Sequence, residues 1–374
     1  MEGTKPRTAS SIGMFDMLKG VGMITIVLAH TAELYPMQIS GGLSLTAFFP
    51  FIYREALMAA FFIASGYGFR KRSIGKCISQ QFKTLFKPYA YTGLATTIAH
   101  FVIHYQTFGN WNNAVYETYK VLGGFVLGLP HTATYFGQEF FSCGPMWYLL
   151  ALMIGWILLD IILNIFPESY IKWAVLGTML LGWGISLVWE APFCIAQGMV
   201  TVPYLYIGFL AKKKRLFEKK FRPLAILGLL AAALGVALGV LLTGKTDCVS
   251  LGEWTMGPVS ILLDGIVGLG FIVLFMKVQR LLDNPVTHLI EAVGRRSLYI
   301  FCIHTVELTA VPWYLMVQKY AAAPTKGLWL QYAVSLGSIF LLCEILLRRR
   351  DVMLKFFPAR RRHFAEHKRY VAKH

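Results

Sequence analysis

A histidine stands thirty residues into the chain, inside an apolar run (residues 12–35) that also holds Asp16, Lys19 and Glu33. An ionisable group in hydrocarbon costs about 3 kcal/mol or more, so it persists there only with a partner or a task. On a helix, Lys19 and His30 are eleven positions apart, which returns them to within about 20° of each other. Asp16 lies one turn before Lys19, and Glu33 one turn after His30. The four groups form one stripe, and a histidine flanked by an acid and a cation can serve as a general base near neutral pH. The plainer alternative is a histidine hydrogen-bonded between helices and a lysine that reaches back to the interface.

Three further segments carry groups able to do chemistry. In AFFIASGYGFRKR, Ser65 and Tyr67 supply hydroxyls ahead of the cationic cluster Arg70, Lys71 and Arg72. Guanidinium groups suit the bidentate binding of phosphate, although basic residues at a helix end also follow from topology alone. In CGPMWYLLALMIGW, Trp147 and Tyr148 open an apolar run where interfacial aromatic anchors are expected. In RRSLYIFCIHTVEL, His304 and Glu307 sit one turn apart, as a reactive pair or as a clasp between helices. Arg54, Glu55, Asp160, Asp264 and Glu344 are polar at depth as well, with partners that spacing does not name.

The elements that must hold these groups are membrane helices. Hydrophobic residues make up 56% of the 374, against 15% charged, and this excludes an ordinary soluble domain. Apolar runs long enough to span a bilayer are read near 12–35, 46–69, 88–105, 145–165, 171–189, 196–211, 223–243, 257–277, 297–316 and 328–347. The expected fold is therefore an all-α integral membrane protein of about ten transmembrane helices. No cleavable signal peptide is evident. Residues 114–129 are apolar but short and carry Glu117 and Lys120, so an outer-surface or re-entrant helix is expected there. A short cytoplasmic helix is expected to enter after Pro285 and end at Gly294.

The net charge of +17 raises the possibility of nucleic acid, but its distribution argues against it. With the N-terminus in the cytoplasm, all but six of the 36 Lys and Arg residues face that side. The exceptions are Lys19, Arg54, Lys120, Lys245, Lys319 and Lys326. This asymmetry predicts that both termini are cytoplasmic. Residues 1–347 then form one transmembrane domain and residues 348–374 a basic tail suited to anionic lipid headgroups. The six cysteines show no metal-ligand spacing; Cys143, Cys194 and Cys248 map outside, where a disulfide is possible. No metal is implied.

Taken together and in this order, the four segments resemble acyltransferase family 3, in particular its fucose 4-O-acetylase-like branch. The motifs are Asp16, Lys19, Gly20 and His30; Phe61, Phe62, Ser65, Gly66 and Tyr67 with Arg70, Lys71 and Arg72; Trp147, Tyr148 and Leu149; and Ser297, Leu298, Tyr299 and Ile300 with His304. The likeness runs over roughly 12–347, with Lys19 where many members carry Arg. It implies an O-acyltransferase of the plasma membrane, a bacterial inner membrane in most such cases, that takes an acyl group, usually acetyl, from cytoplasmic acyl-CoA. The acceptor would be a hydroxyl of a glycan or lipid-linked envelope molecule outside. In that reading His30, with Lys19, Asp16 and Glu33, forms the catalytic group, and Arg70, Lys71, Arg72, Ser65 and Tyr67 hold acetyl-CoA. Trp147, His304 and Glu307 are the candidate substrate-binding residues. The rival class is a secondary transporter or flippase, in which the stripe is a proton relay; a sensor without turnover is a third.

Overall fold

A computed structural model describes residues 12–35, 54–219 and 223–356. Helices carry almost the whole of it: α1 (Asp16–Glu33), α2 (Arg54–Gly68), α3 (Ile74–Gln81), α4 (Lys87–Phe108), α5 (Trp111–Leu127), α6 (Trp147–Ile165), α7 (Glu168–Val188) and α8 (Ile195–Lys213) in the first part. The second part holds α9 (Pro223–Thr243), α10 (Pro258–Leu281), α11 (Pro285–Arg295), α12 (Ser297–Ala310), α13 (Tyr314–Lys319) and α14 (Pro324–Phe356). The one departure from an all-helical chain among the described residues is a short antiparallel hairpin. It pairs β1 (Ala133–Tyr135) with β2 (Gln138–Phe140), Thr134 opposite Glu139.

Seven helical stretches are long and apolar enough to cross a membrane: Gly13–Glu33, Gly144–Ile165, Glu168–Val188, Pro192–Lys213, Pro223–Thr243, Pro258–Leu281 and Pro324–Arg349. The protein is a multi-pass helical membrane protein. The other three expected spans fall on α2, α4 and α12. Residues 46–53 of the second expected span lie outside the described residues, which leaves α2 at 15 residues. Helix α4 has the length but carries His100, His104, four threonines and Gln106 along it. Helix α12 stops after 14 residues, where the chain turns extended at Val311 ahead of Pro312. The basic tail expected to meet lipid, with Arg360, Arg361, Arg362, Lys368 and Arg369, also lies outside the described residues.

Helix α5 returns antiparallel along α4 rather than lying flat on a surface. Trp111 meets Phe101 and Tyr105 at one end, His100 Nδ1 lies 2.9 Å from Thr118 Oγ1 midway, and Tyr89 packs on Phe125 at the other end. Helix α11 forms where Pro285 predicts it, because Asn284 and Thr287 cap its start reciprocally. All six cysteines are free thiols.

The core of the bundle is α8, packed between α2, α6 and α7, with α10 on the far side of α2. Membrane helices gain little from excluding water between them, so they associate through close backbone approach at small residues. Gly66 on α2 and Gly208 on α8 are such a pair. A Cβ on Gly208 would sit 2.0 Å from the Ile63 carbonyl oxygen, and one on Gly66 would sit 2.1 Å from that of Leu205. Gly20 on α1 and Gly294 on α11 do the same, 2.0 Å from the Ile290 oxygen and 1.9 Å from the Asp16 oxygen. Gly208→Val should therefore push α2 off α8 and lower stability by at least about 1–3 kcal/mol, the usual range for overpacking. Thermal unfolding in detergent checks this, and an unchanged midpoint would contradict the contact. Helix α9 is peripheral: only Ala232, Val236, Gly239 and Val240 are buried, against α10, while its leucines point outward as a lipid face.

Candidate active site

The stripe on α1 divides between two neighbourhoods. Its first half is a clasp: Arg295 Nη1 lies 3.6 Å from Asp16 Oδ2 and 3.5 Å from Glu291 Oε2, and Gln279 Nε2 donates to Glu291 Oε1 at 2.9 Å. Asp16 thus ties α1 to α10 and α11, and it does not reach His30. Lys19 is half-buried on the same face and makes no ion pair or hydrogen bond among the described residues. An ammonium so placed retains its capacity for an anion.

The second half of the stripe meets α12. The rings of His30 and His304 lie with their centroids 5.6 Å apart and tilted by 37°. Each histidine has a glutamate one turn further along its helix. His30 Nδ1 is 3.3 Å from Glu33 Oε2, and His304 Nδ1 is 3.1 Å from Glu307 Oε2. A carboxylate only accepts, so each neutral ring carries its proton on Nδ1 and its lone pair on Nε2, the form a base or nucleophile requires. Glu307 is itself fixed by Ser335 of α14, whose Oγ donates to Oε1 at 2.7 Å. Glu33 is held by Arg54 Nη1 at 2.7 Å, and Arg54 Nε donates to Glu55 at 3.3 Å.

The two rings differ in surroundings. The His30 side chain is 30% exposed and that of His304 1%. His304 Nε2 is buried with no hydrogen-bond partner. Glu55 continues toward a buried acidic group near the start of α10, where Asp264 and Asp247 lie. Each of these three acids keeps one carboxylate oxygen without a partner.

Of the aromatic pair opening α6, it is Tyr148 that faces α2. Its hydroxyl lies 3.4 Å from Ser65 Oγ, and its ring packs at 4.7 Å on Phe62 and at 6.1 Å, edge-on, on Phe301. Phe301 is one turn before His304, so Ser65 and Tyr148 sit one turn below the histidine pair. Trp147 is buried in the core and its ring meets that of Tyr148.

The cationic segment is anchored through its backbone. Arg72 N donates to Asp160 Oδ1 at 2.9 Å, and Asn164 Nδ2 donates to the Arg72 carbonyl at 2.8 Å. Asp160 is fully buried, so α6 holds the loop while Arg70 and Lys71 stay exposed. Lys212 at the end of α8 joins them: its Nζ sits 5.9 Å over the Tyr67 ring and it feels the charge of Arg70. Tyr67 is in turn wedged between Phe15 and Phe217. Lys212 on the last turn of α8 thus lies near Arg70 of the Arg70–Arg72 segment, and such cations suit phosphate groups.

Sequence reasoning names Tyr148 only as an aromatic anchor and motif residue, without its contact to Ser65, and misses Lys212, Ser335 and the anchoring role of Asp160. One signal was available for the centre itself: residues 30–33 read HTAE and residues 304–307 read HTVE.

Two carboxylate-oriented imidazoles, one buried and one partly open, thus face each other within a helical membrane bundle. Residues 12–348 match the model of the acyltransferase domain of acyltransferase family 3, and the chain belongs to that family. No curated protein and no solved structure matches it.

Proposed function

We propose that the protein is an O-acyltransferase of the plasma membrane, moving an acyl group, acetyl in the simplest case, from cytoplasmic acyl-CoA to a hydroxyl of an extracytoplasmic glycan or lipid-linked envelope molecule. The observation that carries this reading is the juxtaposition of His30 and His304, each oriented by its own glutamate, within a chain of the acyltransferase family. A transporter needs a pathway and a gate, whereas paired imidazoles with free lone pairs favour group transfer.

In this reading the nucleotide of the donor rests on Arg70, Lys71, Arg72 and Lys212, beside Tyr67, and Lys19 offers its ammonium further along the arm. Eleven residues of helix place His30 about 16 Å beyond Lys19, a span that a pantetheine arm covers. Ser65 and Tyr148 lie along that route. His30, the more open ring, receives the acceptor and takes its hydroxyl proton, while Glu33 and Arg54 hold the ring and balance its charge. The acceptor side is toward Arg54, with Trp147, His304 and Glu307 lining the inner wall.

The reading is tested by mass spectrometry of envelope glycans and lipids from cells with and without the protein. An ester group that disappears with the gene supports it; an unchanged envelope, with acyl-CoA neither bound nor consumed by purified protein, overturns it. The orientation has its own check. Reporter fusions at Lys214 and His374 should read cytoplasm and one at Thr246 should read outside, because the positive charge is so one-sided. A cytoplasmic signal at Thr246 would reverse the assignment of donor and acceptor sides.

A further inference from the structure

We infer that His304 is the nucleophile that carries the acyl group, so that transfer runs through an acyl-histidine on α12 and His30 serves only the second half of the reaction. The inference rests on the acyltransferase reading above and deepens it. Three observations point the same way. His304 Nδ1–H is committed to Glu307, which Ser335 fixes in turn, so the lone pair of Nε2 is oriented and a swap of tautomer would forfeit the hydrogen bond to Glu307. Nε2 is buried and has no partner, a costly state for a polar atom that has no ligand to meet. The ring is 1% exposed while His30 is 30% exposed. An acyl-imidazole is prone to hydrolysis, so the ring that carries it belongs where water is excluded, and the ring that meets a bulky acceptor belongs where space is open.

The chemistry balances. In the first half-reaction, Nε2 of His304 forms a bond to the thioester carbonyl carbon, and the C–S bond breaks with its electron pair going to sulfur. The Nδ1 proton stays on the ring against Glu307, giving an acyl-imidazolium whose charge that carboxylate balances, and coenzyme A leaves as its thiolate. In the second, Nε2 of His30 takes the acceptor's hydroxyl proton as the oxygen attacks the carbonyl. The C–N bond breaks with its pair returning to Nε2 of His304, whose Nδ1 proton never left, and His30 releases its proton to solvent, where it balances the coenzyme A thiolate. Both histidines are restored. The two substrates, arriving from opposite sides, need not occupy the site together.

The test is a partial reaction on the purified, full-length protein, run without any acceptor. Radiolabelled coenzyme A should exchange into unlabelled acetyl-CoA, and mass spectrometry of quenched protein should find the acetyl group on the peptide bearing His304. His30→Gln should keep the exchange within a few-fold and lose transfer to envelope-derived vesicles. His304→Gln should lose exchange by about a hundredfold or more while still binding acetyl-CoA, which shows that it is folded. Glu307→Gln should slow exchange without moving the label. Wild-type protein that acetylates the vesicles but shows no exchange, or an acetyl group found on another residue, overturns the acyl-histidine and leaves the acyltransferase standing. Exchange that survives in His304→Gln does the same. Protein that neither binds acetyl-CoA nor acetylates the vesicles overturns the function itself.

Discussion

His30→Ala is expected to abolish net acyl transfer while leaving the protein folded and able to bind acyl-CoA. The ring is the more open member of the pair; among the described residues Glu33 beside it is engaged by Arg54 at 2.7 Å and His304 is buried. Loss of a general base typically lowers the rate by about 10²–10⁴-fold. The fold should tolerate the change, because removing the imidazole leaves Glu33 still neutralised by Arg54 and strands no buried charge. The measurement is turnover of acetyl-CoA and an acceptor by purified protein, with acyl-CoA binding as the control for folding. Near-normal transfer would remove His30 from the chemistry.

The second large effect belongs to the donor face. Changing Arg70 and Arg72 together to Gln should weaken acyl-CoA binding by several-fold to about a hundredfold, because each charge-assisted hydrogen bond to phosphate contributes roughly 1.5–3 kcal/mol. The loop itself should keep its place. What holds it is the backbone of Arg72 on Asp160 and Asn164, and neither bond uses the guanidinium. Asp160→Ala supplies the contrast, since it keeps every cation but frees the loop and exposes a buried site, so it should lower both affinity and stability. Binding measured by displacement of a fluorescent coenzyme A derivative separates the two. Unchanged affinity in the Arg70 and Arg72 double variant would return the cluster to a role in topology alone.

The helices were legible because hydrophobic length and capping residues are local properties. Pro285 and Asn284 announce α11, and the one-turn spacing of His304 and Glu307 announces their contact. What periodicity reports is the face of a helix, never its neighbour. The stripe Asp16, Lys19, His30 and Glu33 is real as a face, yet α11 takes one end of it and α12 the other, and only tertiary packing decides that. The same limit explains Tyr148. Trp147 and Tyr148 are adjacent and both aromatic, and a rotation of 100° about α6 determines which one meets Ser65. Lys212 and Tyr67 lie 145 positions apart in the chain, so no spacing rule joins them to Arg70. The apolar stretch at 114–129 announces a helix, but its packing along α4 is not legible, since a short polar-flanked helix has the same composition on a surface as it has against α4.

The glycine contact between α2 and α8 also has a mechanical consequence. Where Gly66 and Gly208 meet, main chain touches main chain with no side chain in between to compress or swing aside. A joint of that kind is stiff, and it lies directly behind the loop that carries Arg70 and the helix end that carries Lys212. The donor face therefore behaves as a fixed anvil. Compliance is expected from the opposite wall, where α12 is only 14 residues long and meets α14 through the Ser335 hydroxyl on Glu307 and, at its start, Arg296 on Glu344. A hydrogen bond can open and close within a catalytic cycle; a backbone seam of this kind does not.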